Sequence, residues 1–273
     1  MKNRKNMKVL LIILIILIAA AGLYLLLLLP GKPMKDAALF TDYAHRGLYG
    51  GDIPENSLAA FTAAADAGYG RELDLQLSSD GEVKVFHDYD LERMTGSPGL
   101  LSERTCGELS ALRLRTPDGR ETDEGIPTLR AVLDAAGGRV PFLLELKGES
   151  GDTALCEAIH KVLEGYKGQF AVQSFNPLLL SGFAKVDPLM PRGLLYTDVF
   201  RVRGRSGVNF LLSAMAFNRL CRPNFISCDK DCLGMPPVKA VTGLYGLPMF
   251  VWTLKGDETA PPGTHAIFEK GVS

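Results

Sequence analysis

The sequence has no excess of charge of either sign, and this absence excludes one large class of partner. It contains 30 Lys and Arg residues against 31 Asp and Glu residues, for a formal net charge of −1 at pH 7. Proteins that bind nucleic acid usually carry a pronounced basic surface, which this composition does not supply. The chain also lacks internal repeats and low-complexity tracts, apart from one apolar run near its start.

Cysteine is sparse, and its spacing excludes a zinc framework. The five cysteines are Cys106, Cys156, Cys221, Cys228 and Cys232. The last two are separated by three residues, but no second pair with zinc-like spacing accompanies them. An odd and scattered set predicts mostly free thiols, with room for one disulfide.

One long hydrophobic run stands out against this otherwise balanced composition. Residues 9–29 carry no charge, and at 1.5 Å per residue they match a hydrocarbon core of about 30 Å. Basic residues precede the run, at Lys2, Arg4, Lys5 and Lys8. The positive-inside rule keeps that end in the cytoplasm. A cleaved signal peptide is the alternative, but the small residues 19–21 lie in the middle of the run instead of at its end.

These features predict four segments and a cellular location. Residues 1–8 form a cytoplasmic basic tail, residues 9–29 a transmembrane anchor, residues 30–40 a linker and residues 41–273 one folded domain. A domain of about 230 residues is ordinary for an α/β barrel. We expect a single-pass protein of the cell membrane with its folded domain outside the cytoplasm.

Short apolar runs alternate with helical patterns along this domain. Strands are predicted at residues 42–45, 72–77, 83–87, 142–147, 170–174, 192–196, 225–229, 249–254 and 266–269. Helices are predicted at residues 56–67, 128–136, 152–166, 176–186 and 208–219. Such alternation favours a parallel sheet with crossover connections. If residues 83–87 form a rim hairpin with the second strand, eight strands remain for a TIM (β/α)8 barrel.

The rim hairpin brings acids and an imidazole together. Glu72 and Asp74 alternate with leucines, the pattern of a half-buried strand, and Asp80-Gly81 predicts a two-residue turn. That turn places Asp74 opposite His87. Directly opposed residues in an antiparallel pair share a face, so the hairpin predicts either a buried polar cluster or a metal and acid–base site.

Further charged residues fall at predicted strand ends, where a TIM barrel has its active site. Glu145 joins Glu72 and Asp74 as a third carboxylate, and such an all-oxygen set suits a hard divalent cation, Mg²⁺ or Ca²⁺. The alternative is that these acids form salt bridges with basic neighbours, which are Arg46, Lys147 and Arg71.

The remaining candidates indicate phosphoryl chemistry. His45 and His87 can act as base and acid near neutral pH, while Arg46 and Lys147 suit a phosphate. A glycosidase would need two carboxylates and would have little use for this positive charge. Trp252 lies on a rim strand, where core packing and a ligand-facing wall fit equally well.

Other polar residues have plain structural interpretations. His160 falls within a predicted helix and His265 in the loop before the last strand, and both are interpreted as structural. Asn56 is the predicted N-cap of the first helix of the domain, while Glu55 fits equally well a role in supporting the site.

Taken in order, these motifs resemble the glycerophosphodiester phosphodiesterase family, whose members are phospholipase C-like phosphodiesterases with a TIM barrel. The matching motifs are His45-Arg46-Gly47, Pro54-Glu55-Asn56-Ser57, Glu72-Leu73-Asp74, Asp80-Gly81, Phe86-His87-Asp88, Leu91-x-Arg93-x-Thr95, Ile126-Pro127-Thr128-Leu129, Glu145-Leu146-Lys147, Gln173-Ser174-Phe175 and Val251-Trp252-Thr253. They cover residues 42–269, nearly all of the chain beyond the apolar run. Each is weak alone, and together they are specific.

The resemblance implies a site and a reaction. A small insertion would follow the hairpin at residues 88–125. A divalent ion would be held by Glu72, Asp74 and Glu145, and protons would be exchanged by His45 and His87. The phosphate would be bound by Arg46, Lys147 and Trp252. The expected reaction is hydrolysis of a glycerophosphodiester to glycerol 3-phosphate and an alcohol, by water or through a cyclic phosphate.

Two other functions remain open for the same fold. One is a phospholipase C- or D-like hydrolase acting on intact lipid, and the other is a catalytically silent barrel that binds glycerophosphate groups. The chain also departs from the family pattern at residues 255–264, where Pro261-Pro262 leaves at most one turn of the expected last helix. Lys255 stands there in place of the family's usual asparagine.

Overall fold

The computed structural model describes residues 2–148 and 153–271 of the chain. The strands are β1 (Tyr43–Ala44), β2 (Gly70–Leu77), β3 (Val83–Val85), β4 (Arg113–Arg115), β5 (Glu121–Gly125), β6 (Phe142–Leu146), β7 (Phe170–Ser174), β8 (Arg192–Tyr196), β9 (Phe225–Asp229), β10 (Met249–Lys255) and β11 (His265–Glu269). The α-helices are α1 (Lys2–Leu28), α2 (Leu58–Asp66), α3 (Glu92–Thr95), α4 (Cys106–Ser110), α5 (Leu129–Ala136), α6 (Ala154–Leu163), α7 (Pro177–Val186), α8 (Val199–Val202), α9 (Gly207–Ser213), α10 (Asn218–Cys221) and α11 (Pro236–Lys239).

Eight of the strands close into a parallel barrel. They follow the order β1, β2, β6, β7, β8, β9, β10 and β11, and β11 pairs with β1 to complete the ring. β3 lies outside the ring and pairs antiparallel with the end of β2. The predicted TIM barrel with a rim hairpin is therefore confirmed. The bounds of β7, β8 and β9 agree with those predicted from their apolar runs.

The predicted register of the rim hairpin is wrong by one residue. Leu75 pairs with Val85, and the Phe86 amide donates to the Asp74 carbonyl at 2.9 Å, so Phe86 and not His87 stands opposite Asp74. The loop holds a third residue, Ser79, because the backbone N–H of Ser78 donates to the Glu82 carbonyl at 3.0 Å and closes the hairpin there. A three-residue loop of this kind needs its last residue in the left-handed region, and Gly81 supplies it with φ of 84°.

Side-chain caps set where the barrel helices begin. Ser57, not Asn56, is the N-cap of α2, since its hydroxyl accepts from the Ala60 amide at 3.0 Å. Thr128 caps α5, since its hydroxyl accepts from the Ala131 amide at 3.1 Å. The helix predicted at residues 208–219 is instead divided into α9 and α10, because Met215 adopts a positive φ of 52° between them. Residue 152, the predicted start of α6, lies outside the described residues.

The insertion after the hairpin forms a small unit with its own core. It contains α3, α4 and the antiparallel pair β4–β5. Its apolar side chains pack together, and they are Phe86, Leu91, Met94, Leu101, Leu109, Leu114 and Ile126. At the other end of the domain, residues 256–264 contain turns and no helix, as the proline pair predicts.

The chain start is a long apolar helix joined directly to the barrel. Residues Asn6–Leu28 of α1 are long and apolar enough to cross a membrane, with a mean hydropathy of 3.2. The residues predicted as a linker pack beneath the amino ends of the strands. Met34 and Leu39 are buried there with Tyr43 and Phe250. This apolar layer covers that end of the barrel, and its burial stabilises the fold by about 25 cal/mol for each Å² of apolar surface removed from water.

Candidate active site

Three buried carboxylates meet at the carboxyl end of the barrel. β2 supplies Glu72 and Asp74, and β6 supplies Glu145 directly across from Asp74 in the parallel register. The three residues offer one oxygen each, all within 4.8 Å of one another, and none is more than 5% exposed. All of the donor atoms are carboxylate oxygens, and such an all-oxygen set fits a divalent cation of the Mg²⁺ or Ca²⁺ type.

The cluster carries more negative charge than its surroundings accommodate easily. Burial and the neighbouring Asp74 carboxylate raise the pKa of Glu72 to about 8. Burial also raises the pKa of Glu145. Burial acts in the same direction on Asp74, but the cations of Lys147 and Arg46 outweigh it and lower the pKa of Asp74. An additional cation would stabilise the ionised form of all three acids.

Two basic side chains reach the same acids. Lys147 Nζ lies 2.6 Å from Glu145 Oε1 and 3.1 Å from Asp74 Oδ1. Arg46 Nε lies 3.5 Å from Asp74 Oδ2. Arg71 does not take part, because its guanidinium stacks 4.0 Å over the Phe142 ring. Salt bridging is thus present for two of the three basic candidates, and both also line the cavity described below.

The loops after β1 and before α2 hold the acids from the other side. The backbone N–H of Arg46 donates to Glu72 Oε2 at 3.1 Å, and Asn56 Nδ2 donates to Asp74 Oδ2 at 2.8 Å. Both Arg46 and Asn56 adopt positive φ, 58° and 54°. Non-glycine residues seldom take this conformation, and such backbone strain concentrates at functional sites. Asn56 is therefore a support of the cluster and was missed as such, since its sequence position also suits a helix cap.

His45 follows β1 and is anchored by a carboxylate from the last strand. Its Nδ1 lies 2.9 Å from Glu269 Oε1, and its Nε2 lies 4.0 Å from Glu72 Oε2. Burial would lower the pKa of His45, but the hydrogen bond to Glu269 and the charge of Glu72 raise it on balance. The same hydrogen bond holds the pKa of Glu269 at about 2. Sequence reasoning missed Glu269, because 224 residues separate it from His45.

His87 follows β3 and is held by a second carboxylate. Its Nδ1 lies 2.6 Å from Asp88 Oδ1, and Arg93 donates to the other oxygen of Asp88. Arg93 also donates to Glu55 Oε1 at 2.7 Å, and Arg46 donates to the same oxygen at 2.8 Å. A continuous chain of ion pairs thus connects the two sides of the site. Glu55 supports the site through this chain.

One cavity of about 320 Å³ is lined by the two histidines, by Glu72 and Glu145 of the acid cluster, and by the basic side chains of Arg46 and Lys147. Phe175 and Trp252 form its apolar wall, edge to face with ring centroids 5.4 Å apart. Trp252 is fixed there because its Nε1 donates to the Ser227 carbonyl at 2.8 Å. His160 and His265 do not line this cavity.

The sequence also matches a family model. The model of the glycerophosphoryl diester phosphodiesterase family covers residues 45–261. The chain belongs to this family. It is accordingly an enzyme of the phosphodiesterase class that hydrolyses glycerophosphodiesters, as the motifs predict.

Individual relatives agree with the assignment to the glycerophosphodiester phosphodiesterases. The protein YhdW of Bacillus subtilis (strain 168) is 30% identical over 225 residues, covering 80% of this chain and 87% of that protein. A glycerophosphodiester phosphodiesterase of Caldanaerobacter subterraneus subsp. tengcongensis is 34% identical over 160 residues, covering 56% of this chain and 65% of that protein.

A solved structure shows the same fold. A phosphodiesterase from Oleispira antarctica, in complex with the product sn-glycerol-3-phosphate, aligns with a TM-score of 0.67 at 24% identity. The alignment covers 84% of this chain and 92% of that structure.

Two further polar residues of this phosphodiesterase barrel complete the surroundings of Glu72. Gln173 Nε2 donates to Glu72 Oε1 at 3.3 Å, and the Ser227 hydroxyl donates to Gln173 Oε1 at 2.7 Å. Gln173 belongs to a motif recognised at the end of its strand, whereas Ser227 had no sequence signal.

Proposed function

We propose that this chain hydrolyses glycerophosphodiesters to glycerol 3-phosphate and an alcohol by a metal-dependent mechanism with two histidines. The observation that carries the proposal is the meeting of a carboxylate cluster and two anchored histidines in one cavity. Glu72, Asp74 and Glu145 would hold Mg²⁺ or Ca²⁺. When bound, such an ion neutralises the charge that develops on the phosphoryl oxygens.

The two histidines would move the protons. In the proposed reaction one imidazole removes the proton of the attacking hydroxyl, and the other donates a proton to the oxygen of the leaving alcohol. Each imidazole is held at Nδ1 by a carboxylate, His45 by Glu269 and His87 by Asp88. Nδ1 is thereby engaged, which leaves Nε2 of each ring as the nitrogen that exchanges a proton with substrate.

The basic side chains would bind the phosphate. Lys147 is 13% exposed and Arg46 is 14% exposed, so both are largely desolvated at the cavity wall. Charge-assisted hydrogen bonds to a phosphate are strongest in such surroundings. Trp252 and Phe175 would cover the apolar side of the glycerol or of the leaving group. The cavity is at the small end of the range for small-molecule sites, which favours a deacylated head group over a whole diacyl lipid.

The apolar helix would place this activity at a membrane. We propose that residues 9–29 anchor the chain, with residues 1–8 in the cytoplasm and the barrel, residues 41–273, outside it. Support comes from the length and hydropathy of α1 and from the basic residues before its apolar run. Substrates would then be glycerophosphodiesters released from membrane lipids.

The experiment that tests the reaction measures glycerol 3-phosphate release by the full-length protein in detergent. Glycerophosphocholine and glycerophosphoethanolamine serve as substrates, first with EDTA and then with Mg²⁺ or Ca²⁺ restored. We expect release only with the metal present. Release that EDTA leaves unchanged would reject metal dependence, and no release from a folded protein with any cation would favour the silent barrel.

A carboxylate variant separates metal binding from folding. Glu145→Gln removes one charge from the cluster and should weaken metal affinity, measured by calorimetric titration, by about 10-fold or more. Glu157→Gln, on the exposed face of α6, is the matched control and should bind metal as the wild type does. Equal affinities in the two variants would contradict the assigned metal site.

A further inference from the structure

An exposed segment after β8 combines arginine with apolar side chains. We define this arginine segment as residues 199–211, which include α8 and the start of α9. Every residue from 201 to 208 is exposed. Its basic residues are Arg201, Arg203 and Arg205, and its exposed apolar residues are Val202, Val208, Phe210 and Leu211, between 41% and 63% exposed.

The positive charge of the arginine segment is not neutralised by the protein. Within residues 2–148 and 153–271, none of its three guanidinium groups forms a salt bridge with an acid. The nearby Asp198 carboxylate is engaged elsewhere, because it accepts from the Ser213 hydroxyl at 2.9 Å and caps α8. Free arginines beside exposed apolar side chains are the chemistry with which peripheral helices bind an anionic lipid surface.

The arginine segment lies beside the mouth of the catalytic cavity. It follows the carboxyl end of β8, where Tyr196 ends the strand. Val199 borders the same small pocket as Phe175 and Pro177. Phe175 also lines the catalytic cavity. The arginine segment therefore lies at the same end of the barrel as the opening of the catalytic cavity.

The apolar helix α1 leaves the barrel toward this same end. The Tyr24 hydroxyl donates to the Ala214 carbonyl at 3.2 Å, next to Ser213, whose carbonyl accepts from the Tyr196 hydroxyl at 2.8 Å. Tyr24 thus lies level with the carboxyl end of β8.

The residues after α1 lie at the opposite end of the barrel. The Gly31 amide donates to the Pro223 carbonyl at 2.9 Å. Asn224, which follows Pro223, donates its backbone N–H to the carbonyl of Arg192 at the amino end of β8. The chain therefore runs downward from Tyr24 to Gly31. The helical residues before Tyr24 extend upward past the mouth, and the apolar ones among them, residues 9–23, span about 22 Å at 1.5 Å per residue.

We propose that the lipid bilayer lies over the mouth of the barrel, with the arginine segment docked on its anionic surface beside α1. The proposal rests on the proposed membrane placement of α1 and adds an orientation to it. The mouth then opens toward the lipid surface, so its substrates are diesters that leave that surface or remain attached to it.

The test measures amide hydrogen exchange of the full-length protein in nanodiscs. Discs of phosphatidylcholine alone are compared with discs that also contain phosphatidylglycerol. We expect exchange of residues 200–211 to slow by about tenfold or more in the anionic discs, while the loop at residues 137–141, at the opposite end of the barrel, stays unchanged. Equal exchange of residues 200–211 in the two discs would overturn the proposal. So would protection in detergent that grows with protein concentration, since a second copy would then cover the segment.

A pair of charge-matched variants completes the test. Arg201→Glu, Arg203→Glu and Arg205→Glu together should abolish the lipid-dependent protection. The control is Lys161→Glu, Lys167→Glu and Lys185→Glu, three exposed positions toward the opposite end, which should retain the protection. Protection that survives the arginine changes would reject the charge-based docking.

Turnover of glycerophosphocholine keeps this proposal separate from the proposed reaction. Both variants in detergent should hydrolyse this soluble substrate at the wild-type rate, because none of the six residues lines the catalytic cavity. Absence of turnover in the wild type would reject the reaction while leaving the exchange result valid. Normal turnover without lipid-dependent protection would reject the docking alone.

Discussion

At the scale of single residues, the two cavity histidines share one arrangement. Each imidazole uses Nδ1 to contact a carboxylate, which is the distant Glu269 for His45 and the adjacent Asp88 for His87. Such a contact sets the tautomer and the orientation of the ring. It also means that the chemistry of each histidine can be altered without removing it.

Replacing the histidines should separate the acid from the base. His45→Ala and His87→Ala should each lower kcat for glycerophosphocholine by about 10²–10⁴-fold. A nitrophenyl diester needs no proton on its leaving group. The variant that lacks the acid should therefore hydrolyse this substrate at much of the wild-type rate, while the variant that lacks the base should remain slow.

The matched control is His160→Ala, whose imidazole lies on α6 beside Asp187 and outside the cavity. Its kinetics should equal those of the wild type with both substrates. Near-normal turnover of glycerophosphocholine by His87→Ala would refute the acid–base assignment.

Replacing Glu269 should change the pH dependence of activity. The Glu269 hydrogen bond raises the pKa of His45, so Glu269→Gln should move the limb of the pH–rate profile that belongs to His45 toward lower pH. Glu157→Gln, far from the cavity, should leave both limbs in place. An unchanged profile in Glu269→Gln would show that His45 does not depend on this carboxylate.

The same carboxylate predicts how stability responds to acid. The pKa of Glu269 is about 2 in the folded protein and about 4.3 in an unfolded chain. A depressed folded pKa stabilises the protein above about pH 4.3, and the stabilisation is lost as the pH falls toward 2. Unfolding measured between those values should therefore depend less steeply on pH in Glu269→Gln than in the wild type. Equal slopes would contradict the ion pair.

At the scale of elements, the barrel interior depends on one small residue in β8. An ideal Cβ at Gly193 would lie 2.0 Å from the ring of Phe225, which is fully buried on the neighbouring strand β9. The ring occupies the volume that a side chain at Gly193 would need. Phe225 in turn packs edge to face on Phe250, at 5.3 Å between ring centroids.

Gly193→Ala should consequently destabilise the barrel. Overpacking of a filled core costs about 1–3 kcal/mol, which should appear as a lower Tm and a lower urea midpoint. Gly234→Ala is the control, since its added Cβ meets no atom within 4 Å. If the two variants have equal Tm values and urea midpoints, the ring of Phe225 can move aside and the interior is looser than its packing indicates.

At the scale of the whole molecule, the exposure of the cysteine side chains shows how well the interior is closed to solvent. None of the five forms a disulfide, and only Cys106 is partly exposed. Burial raises the pKa of Cys221 to about 12, which keeps it protonated and unreactive at neutral pH. The sequence left room for one disulfide, and the structure has none.

A thiol titration checks this packing directly. The native protein should react at about one thiol, Cys106, with a disulfide reagent such as DTNB, because the other four side chains are buried. The unfolded and unreduced protein should react at all five. Fewer than five in the unfolded state would reveal a disulfide, and several in the native state would show that the core opens readily.

Much of the fold was predictable because its signals are local. The run Phe170–Ser174 is apolar, short and bounded by turn residues, so its strand follows from the sequence itself. The rim hairpin was predicted but its register was not, since the third loop residue depends on a hydrogen bond of Ser78 that no composition rule anticipates. Asn56 was wrongly predicted as a helix N-cap, because an asparagine side chain serves equally well to cap a helix or to hold a carboxylate of the site.

By itself the sequence determined the apolar run, the alternation of strands and helices, and the motifs that bring the acids, the histidines and the basic residues to strand ends. Each of these depends on neighbours within a few positions. The tertiary structure alone decided which distant side chains meet. Closure of the barrel brings Glu269 to His45, and contacts with Ala214 and α10 direct α1 toward the mouth. Contacts of this kind join elements far apart in the chain, and only the folded barrel specifies their distance and direction.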